Sequence, residues 1–236
     1  MTRTRGEDGF TLMEVIVAMT VGFVLLGALL GLLESSVRLN TGVMAKTDAM
    51  QRGRVAMDAI TQQLRSQVCF DWENSAIVEG SDASTVEFYA DYTAEGEKPV
   101  KRRLSYDAAT RRILASRYDA PTPTPDPFTP ASYSSTPAAT NMVLENVGLQ
   151  QPEGAPVPTP FLRYFAYEEV DGVLRADHEL TPPLDAAEAA RAARVEISYF
   201  ALPTGSSDAG KGVSLSDQVM ARHADPNLAV PDPNCV

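Results

Sequence analysis

The stretch Gly9-Phe10-Thr11-Leu12-Met13-Glu14-Val15 opens an apolar run that continues to Leu33 and decides how the chain folds. Between Phe10 and Leu33 the one charged side chain is Glu14. As a helix this run would reach about 36 Å, long enough to cross a hydrocarbon core of about 30 Å with some tilt. A carboxylate inside such a segment is costly in lipid, so it marks a functional position.

A short polar leader, residues 1–9, precedes the run and ends in the small residue Gly9. An ordinary secretory signal has its small-residue cleavage site after the apolar stretch. Here the small residue comes first, so cleavage between Gly9 and Phe10 would leave the apolar helix on the protein. The freed ammonium group of Phe10 would then need a partner, since an unpaired buried charge is strongly destabilising. Glu14 lies four residues on and could pair with it in the same helix or in a neighbouring one.

Residues 9–19, Gly-Phe-Thr-Leu-Met-Glu-Val-Ile-Val-Ala-Met, resemble the class III signal of type IV pilins and type II secretion pseudopilins. The resemblance implies that a prepilin peptidase cuts after Gly9 and methylates the amino group of Phe10. It also implies that Glu14 pairs with the N-terminus of the adjacent subunit and sets the register of assembly. The two residues before Gly9 are acidic, whereas the family often has Lys or Arg next to the cleaved glycine. A plain signal anchor that tolerates Glu14 is the alternative.

Charge suggests where the chain resides. Arg3 and Arg5 favour a cytoplasmic N-terminus. We therefore expect a single-pass protein of the inner membrane whose C-terminal domain is extracytoplasmic, and the resemblance implies that it later joins a pilus or pseudopilus. A formal net charge of −11 suits an acidic extracytoplasmic surface and makes nucleic acid an improbable partner.

The pattern predicts a transmembrane and assembly segment over residues 10–33 and an amphipathic continuation of the same helix over residues 34–68. No proline occurs before Pro99, so nothing interrupts the helix. Apolar residues at three- and four-residue steps predict a stripe that packs on a sheet: Met50, Gly53, Met57, Ile60, Leu64 and Val68. The predicted helix contains five glycines: Gly22, Gly27, Gly31, Gly42 and Gly53. They could allow close helix packing or local unwinding in a filament. The alternative is that membrane helices ordinarily tolerate glycine.

Residues 69–236 are expected to form one extracytoplasmic β-rich domain. Alternating apolar residues predict strands, and an alanine-rich stretch predicts a short helix over 184–193. Proline-rich residues 120–140 predict a flexible surface loop, with a glycosylated stalk as the alternative. The predicted strands are 85–92, 100–106 and 111–118 (a hairpin), 142–147, 161–167, 194–200 and 213–221.

The predicted fold class is α+β, with a long N-terminal helix packed on antiparallel sheets and with proline-rich loops. This order of elements is similar to that of the larger minor pseudopilins, above all the J-type component of type II secretion and the W-type minor pilin. That resemblance rests on layout rather than on a fixed motif.

Six basic residues cluster on the predicted hairpin of this acidic chain. They could dock an acidic neighbour or contact DNA phosphates, or they could form an ordinary solvated strand face. No aromatic stacking motif accompanies them, which favours the solvated face. The six are Lys101, Arg102, Arg103, Arg111, Arg112 and Arg117.

Two cysteines, Cys69 and Cys235, are too few for a disulfide scaffold or a structural zinc site. An oxidising compartment would allow them to pair, which would fasten the tail to the end of the helix; two free thiols are the alternative. Asp and Asn residues crowd the tail, but their spacing matches no calcium loop and turn capping explains them equally well. No cofactor or metal is expected.

Three functions from different classes remain open. The first is a non-enzymatic subunit of a type IV pilus or type II secretion pseudopilus, whose partners are the prepilin peptidase, other subunits and the membrane. The second is a DNA-uptake or adhesion subunit that uses the basic hairpin 101–117. The third is a membrane-anchored enzyme or sensor, which the residues disfavour because no nucleophile motif or phosphate loop accompanies His178 and His223.

Overall fold

The computed structural model describes residues 11–70, 76–90, 99–121, 129–151, 154, 156–206 and 212–221. The chain divides into two units, residues 1–45 and residues 46–236. One helix, α1 (Leu12–Arg65), begins in the first unit and ends in the second. The leader 1–9 and Phe10 lie outside the described residues.

The second unit contains two antiparallel sheets. The first sheet has four strands in chain order: β1 (Thr85–Ala90), β2 (Val100–Asp107), β3 (Arg112–Tyr118) and β4 (Ala139–Glu145). The second sheet contains β5 (Val147–Gly148), β6 (Leu162–Val170), β7 (Val173–Leu180), β8 (Arg194–Ala201) and β9 (Val213–Met220).

Strand β8 is the centre of the second sheet. Strand β9 pairs with β8 along its whole length, so β5 and β6 share the opposite edge of β8. Strand β7 then pairs with β6. The short helix α2 (Ala186–Arg191) connects β7 to β8, and a reciprocal pair of hydrogen bonds between Asp185 and Glu188 caps its N-terminus.

Turn chemistry fixes both hairpins. In the β2–β3 turn, the Asp107 carboxylate accepts the backbone N–H groups of Ala109 and Thr110 at 2.9 and 3.3 Å. Hydrogen bonding from the Thr110 hydroxyl and from these N–H groups holds the pKa of Asp107 below its ordinary value. The β6–β7 turn has positive φ at Asp171 (54°) and Gly172 (75°), as a type I′ turn requires.

The C-terminal part of α1 packs into the core of the second unit. The buried stripe includes Gly53, Met57, Ile60 and Leu64, as the sequence predicts, and it meets apolar residues of both sheets. Ile60 is fully buried. The predicted α+β class is therefore confirmed: a long apolar N-terminal helix is combined with antiparallel sheets.

Gly53 marks the closest approach of α1 to the second sheet. A Cβ atom at this position would lie 2.2 Å from Leu215 Cδ1 and 2.8 Å from Ala201 Cβ, so no larger residue fits without movement. The buried Tyr199 hydroxyl donates to the Gly53 carbonyl at 2.8 Å. Burial raises the pKa of Tyr199 above its ordinary value, and the Asp58 carboxylate adds to the rise.

A smaller aromatic cluster forms a second core. The rings of Tyr89 and Tyr133 lie 5.8 Å apart and both residues are buried, with Phe70 packed at 4.9 Å from Tyr89. Tyr133 lies within the region predicted as a flexible loop, and β4 begins at Ala139, also inside that region. Residues 122–128 of the predicted loop lie outside the described residues.

Candidate functional site

Glu14 lies in the first turn of α1 and is exposed. The Glu14 backbone N–H contacts the Thr11 carbonyl at 3.0 Å and the Thr11 hydroxyl at 3.4 Å. Thr11 therefore acts as the N-cap, and the Glu14 carboxylate lies where the helix dipole favours a negative charge. Within the described residues, this carboxylate makes no ion pair, while Gly9 and Phe10 lie outside them.

The apolar side chains that follow Glu14 are all exposed. From Leu12 to Leu33 the large apolar residues range from 42% exposed at Val15 to 79% at Leu12. Exposure of this much contiguous apolar surface requires an apolar environment outside the chain. By length and composition α1 could cross a membrane.

The glycines of this segment have open space around them. A Cβ atom at Gly22, Gly27, Gly31 or Gly42 would meet no atom of the described residues within 4 Å, in contrast to Gly53. Packing within the chain therefore explains Gly53 alone among these five residues. The two interpretations of the other four, close packing in a filament and ordinary tolerance, both remain open.

The predicted basic hairpin forms, but several of its charges are already engaged. Lys101 and Arg103 both pair with Glu87 on β1, the Lys101 ammonium at 3.3 Å. The same two cations lie over the Tyr118 ring, at 4.8 and 5.4 Å from its centroid. This arrangement stabilises the face of the sheet and leaves little unpaired charge for phosphates on that face.

Two of the three arginines farther along the hairpin, Arg111 and Arg117, are also held by neighbours. Arg111 donates to the backbone carbonyls of Val147 and Ser206 at 3.4 and 3.1 Å. Arg117 pairs with Asp119 at 2.8 Å. These contacts favour the solvated-face interpretation of the hairpin over a phosphate-binding surface.

Cys69 follows the end of α1. Cys235 lies outside the described residues, as do His223 and the Asp and Asn residues of the tail. We keep the Cys69–Cys235 pairing as a proposal. His178 is exposed on β7, with its Nδ1 atom 3.7 Å from Glu168. No cluster of three potential metal ligands occurs in the part of the chain that the structure describes.

Comparison with known families identifies the N-terminal segment. The family described as the prokaryotic N-terminal methylation motif matches residues 4–30. The chain carries a prepilin-type signal. The match spans residues 4–9 of the leader, Glu14 and most of the exposed apolar helix, and it points to a structural-subunit family of pilin-like proteins. It does not extend into the second unit. No curated relative matches the chain.

The prepilin-type signal and the apolar helix together support a membrane-anchored, pilin-like precursor. The motif implies a prepilin peptidase and other pilin subunits as partners. Sequence reasoning identified Glu14 but did not recognise Thr11 as the cap. The signal for that role was present, because Thr-x-x-Glu at the start of a helix is the pattern of a capping box.

Proposed function

We propose that this protein is a non-enzymatic minor pilin or pseudopilin subunit. A prepilin peptidase cuts after Gly9 and methylates Phe10, and the mature subunit enters a type IV pilus or type II secretion pseudopilus through its N-terminal helix. The observation that carries the proposal is the methylation motif at residues 4–30, which runs directly into an apolar helix whose side chains are exposed.

Glu14 neutralises a charge that processing creates. Processing creates an ammonium group at Phe10, and the carboxylate of Glu14 on an adjacent subunit neutralises it in an apolar environment. Each charge then avoids the cost of being buried alone. The exposed side chains from Leu12 to Leu33 pack against lipid before assembly and against neighbouring helices afterwards.

The second unit extends from the outer face of the membrane in this proposal, with the N-terminus in the cytoplasm. The chain order of a long helix, two sets of strands, a short helix and two further strands supports the J-type or W-type class of minor subunit. The internal pairing of Lys101, Arg103, Arg111 and Arg117 gives the DNA-uptake alternative no support.

Substitution Gly9→Ala tests the processing step. We expect maturation to be blocked, because the motif requires a small, flexible residue at the cut and alanine adds a Cβ atom there. Intact-mass analysis of the protein from native membranes measures this directly. A mature N-terminus at Phe10 in the variant would contradict the proposed cleavage requirement.

Substitution Glu14→Val tests the assembly step separately. We expect insertion into the membrane to persist and incorporation into filaments to fall at least about tenfold, since loss of one charge pair of about 1.4 kcal/mol changes an equilibrium tenfold. The matched control is Glu34→Val in the same helix, where Glu34 pairs with Arg38 at 2.5 Å. Equal incorporation of the two variants, measured in sheared filament fractions, counts against the pairing role.

A further inference from the structure

Strand β4 is an open edge of the first sheet. At the opposite end of that sheet, the outer edge of β1 is covered: Val68 donates to the Tyr89 carbonyl at 2.9 Å, and Val78 donates to the Glu87 carbonyl at 2.8 Å. Strand β4 pairs with β3 on one side. Within the described ranges, no backbone group bonds to its other side.

The composition of β4 does not protect this edge. Natural proteins discourage strand addition at an edge with charged residues. Strand β7, a terminal strand of the second sheet, carries Arg175, Asp177 and Glu179, and β9 carries Asp217 near its middle. By contrast, Ala139–Leu144 of β4 contains no charged residue.

An apolar groove adjoins this edge. It has a volume of about 420 Å³ and lies between β4 and the part of α1 that belongs to the second unit. Two of its lining residues are unusually exposed for their size: Val55 at 70% and Met142 at 53%. The volume is in the range of sites that hold a ligand, about 300–1,000 Å³.

The charges around the groove are not balanced. Arg52 is engaged, because it pairs with Asp48 at 2.8 Å and donates to the Leu202 carbonyl at 3.2 Å. Glu145 makes no ion pair with any residue in the described part of the chain. Arg112 lies directly opposite Glu145 on β3 but forms no ion pair with it in the described part of the chain. The groove therefore presents a carboxylate beside apolar side chains that a basic residue can pair with.

A β-bulge defines where a strand can pair. The register between β3 and β4 shifts so that Val143 is the additional residue, after Met142 pairs with Leu114. Regular pairing on the open edge is thus limited to Ala139–Met142. A chain that pairs there reaches the groove at its next residues, beside Val143 and Glu145.

We propose that the β4 edge and its groove bind an extended segment of a partner protein, which adds as a fifth strand to the first sheet. The segment alternates apolar and basic residues: its backbone pairs with Ala139–Met142, an apolar side chain enters the groove beside Val55 and Met142, and a basic one approaches Glu145. This inference deepens the proposed function, since a subunit of an assembly needs surfaces for its neighbours outside the helix.

A peptide titration with the full chain in lipid nanodiscs tests the surface. The probe is a fluorescent, end-capped seven-residue peptide with valine at alternate positions and lysine between them. We expect saturable binding by fluorescence anisotropy. Met142→Lys should weaken it at least about tenfold, which corresponds to about 1.4 kcal/mol, because it places a cation in the groove and removes apolar contact. Val173→Lys, at a valine 52% exposed on β7, is the matched control and should bind as the unchanged protein does.

Three altered peptides separate strand addition from simple adhesion. N-methylation of alternate backbone amides removes the hydrogen-bond donors of one edge and should abolish binding when that edge faces β4, so both alternating sets are tested. Glutamate in place of lysine should weaken binding, and Glu145→Gln should remove most of that difference. Equal binding of the plain peptide and of both N-methylated peptides would overturn strand addition. Equal effects of Met142→Lys and Val173→Lys on binding would also overturn it. So would the absence of binding at about 1 mM peptide, where specific association is worth only about 4 kcal/mol.

The titration is independent of maturation and assembly. If the protein binds the peptide but Glu14→Val assembles normally, the proposed β4 surface is supported and the proposed charge-pairing role of Glu14 is refuted. If assembly requires Glu14 but the protein binds the plain and the altered peptides equally, the proposed function is supported and the proposed β4 surface is refuted.

Discussion

The two parts of α1 use apolar side chains in opposite ways. Up to Met44, large apolar residues are exposed around the helix, with Met44 itself at 73%. From Ala49 onward, the buried residues of α1 lie on one stripe of the helix. A helix that is apolar on all sides needs an environment supplied from outside, whereas an amphipathic helix finds its environment in its own domain. The same element therefore serves an external apolar phase at one end and a folded core at the other.

The two parts of α1 also differ in the role that their residues have. The methylation motif covers residues 4–30, and the part of it that lies in α1 falls wholly within the exposed part of the helix. The buried stripe instead fixes α1 on its sheets through contacts such as Gly53 with Leu215. Substitutions in the first part should therefore change processing or assembly with little effect on the folded domain, and substitutions in the second part should do the reverse.

The largest expected effect comes from removing a fully buried side chain. Ile60→Ala should lower the free energy of unfolding by about 2–5 kcal/mol, because it leaves a cavity between α1 and the sheets. Leu30→Ala, at a residue 58% exposed in the first part, should change it by less than about 0.5 kcal/mol. Urea unfolding of the full chain in detergent, followed by near-UV circular dichroism, measures both. Equal losses would remove the distinction between the two parts.

A pair of glycine substitutions compares the two parts of α1 at residues of the same type. Gly53→Ala should destabilise the domain by about 1–3 kcal/mol through overpacking, although alanine itself favours a helix by up to about 1 kcal/mol. Gly42→Ala has open space around it, so it should be neutral or stabilise the helix by up to about 1 kcal/mol. The same unfolding measurement, with helicity followed at 222 nm in the far ultraviolet, distinguishes them. Destabilisation of similar size in both variants would show that the close approach to Leu215 does not set the cost at Gly53.

Periodicity predicted much of this architecture from the sequence. The three- and four-residue spacing identified Gly53, Met57, Ile60 and Leu64 as the buried stripe of α1. It did not identify Ala49 and the other small buried residues, because alanine is common on exposed helix surfaces and gives a weak signal. The hairpin 100–118 followed from its turn residues and alternating pattern.

Long-range contacts could not be predicted in the same way. Tyr133 is buried although it lies in a stretch rich in Pro, Ser and Thr, because its burial depends on Tyr89 and Phe70 from distant segments. The pairing of Lys101 and Arg103 with Glu87 depends on the register of β1 against β2. Glu14 could be recognised from its position in the apolar run, but a single chain cannot contain the neighbouring subunit with which it is proposed to pair.

The smallest expected effect concerns charged residues on the second sheet, and it tests whether burial dominates the stability of the second unit. Arg163 donates two hydrogen bonds of 2.7 Å to Glu179, and these bonds hold the pKa of Glu179 below its ordinary value of 4.5. A depressed pKa means that the folded state binds the proton more weakly than the unfolded state does. The associated stability is therefore present above about pH 4.5 and is lost as the pH falls through the folded-state pKa.

Because the Glu179 side chain is half exposed, solvent screens the pair and its contribution should be about 0.2–1 kcal/mol. Glu179→Gln should lower stability by that amount at pH 7 and reduce the loss on acidification below about pH 4.5. Glu169→Gln on the neighbouring strand β6 is the control, because Glu169 forms no ion pair with a residue that the structure describes. Urea unfolding at pH 7 and pH 3 compares the two. An effect of Glu179→Gln as large as that of Ile60→Ala would show that this ion pair, and not the buried stripe, dominates the stability of the second unit.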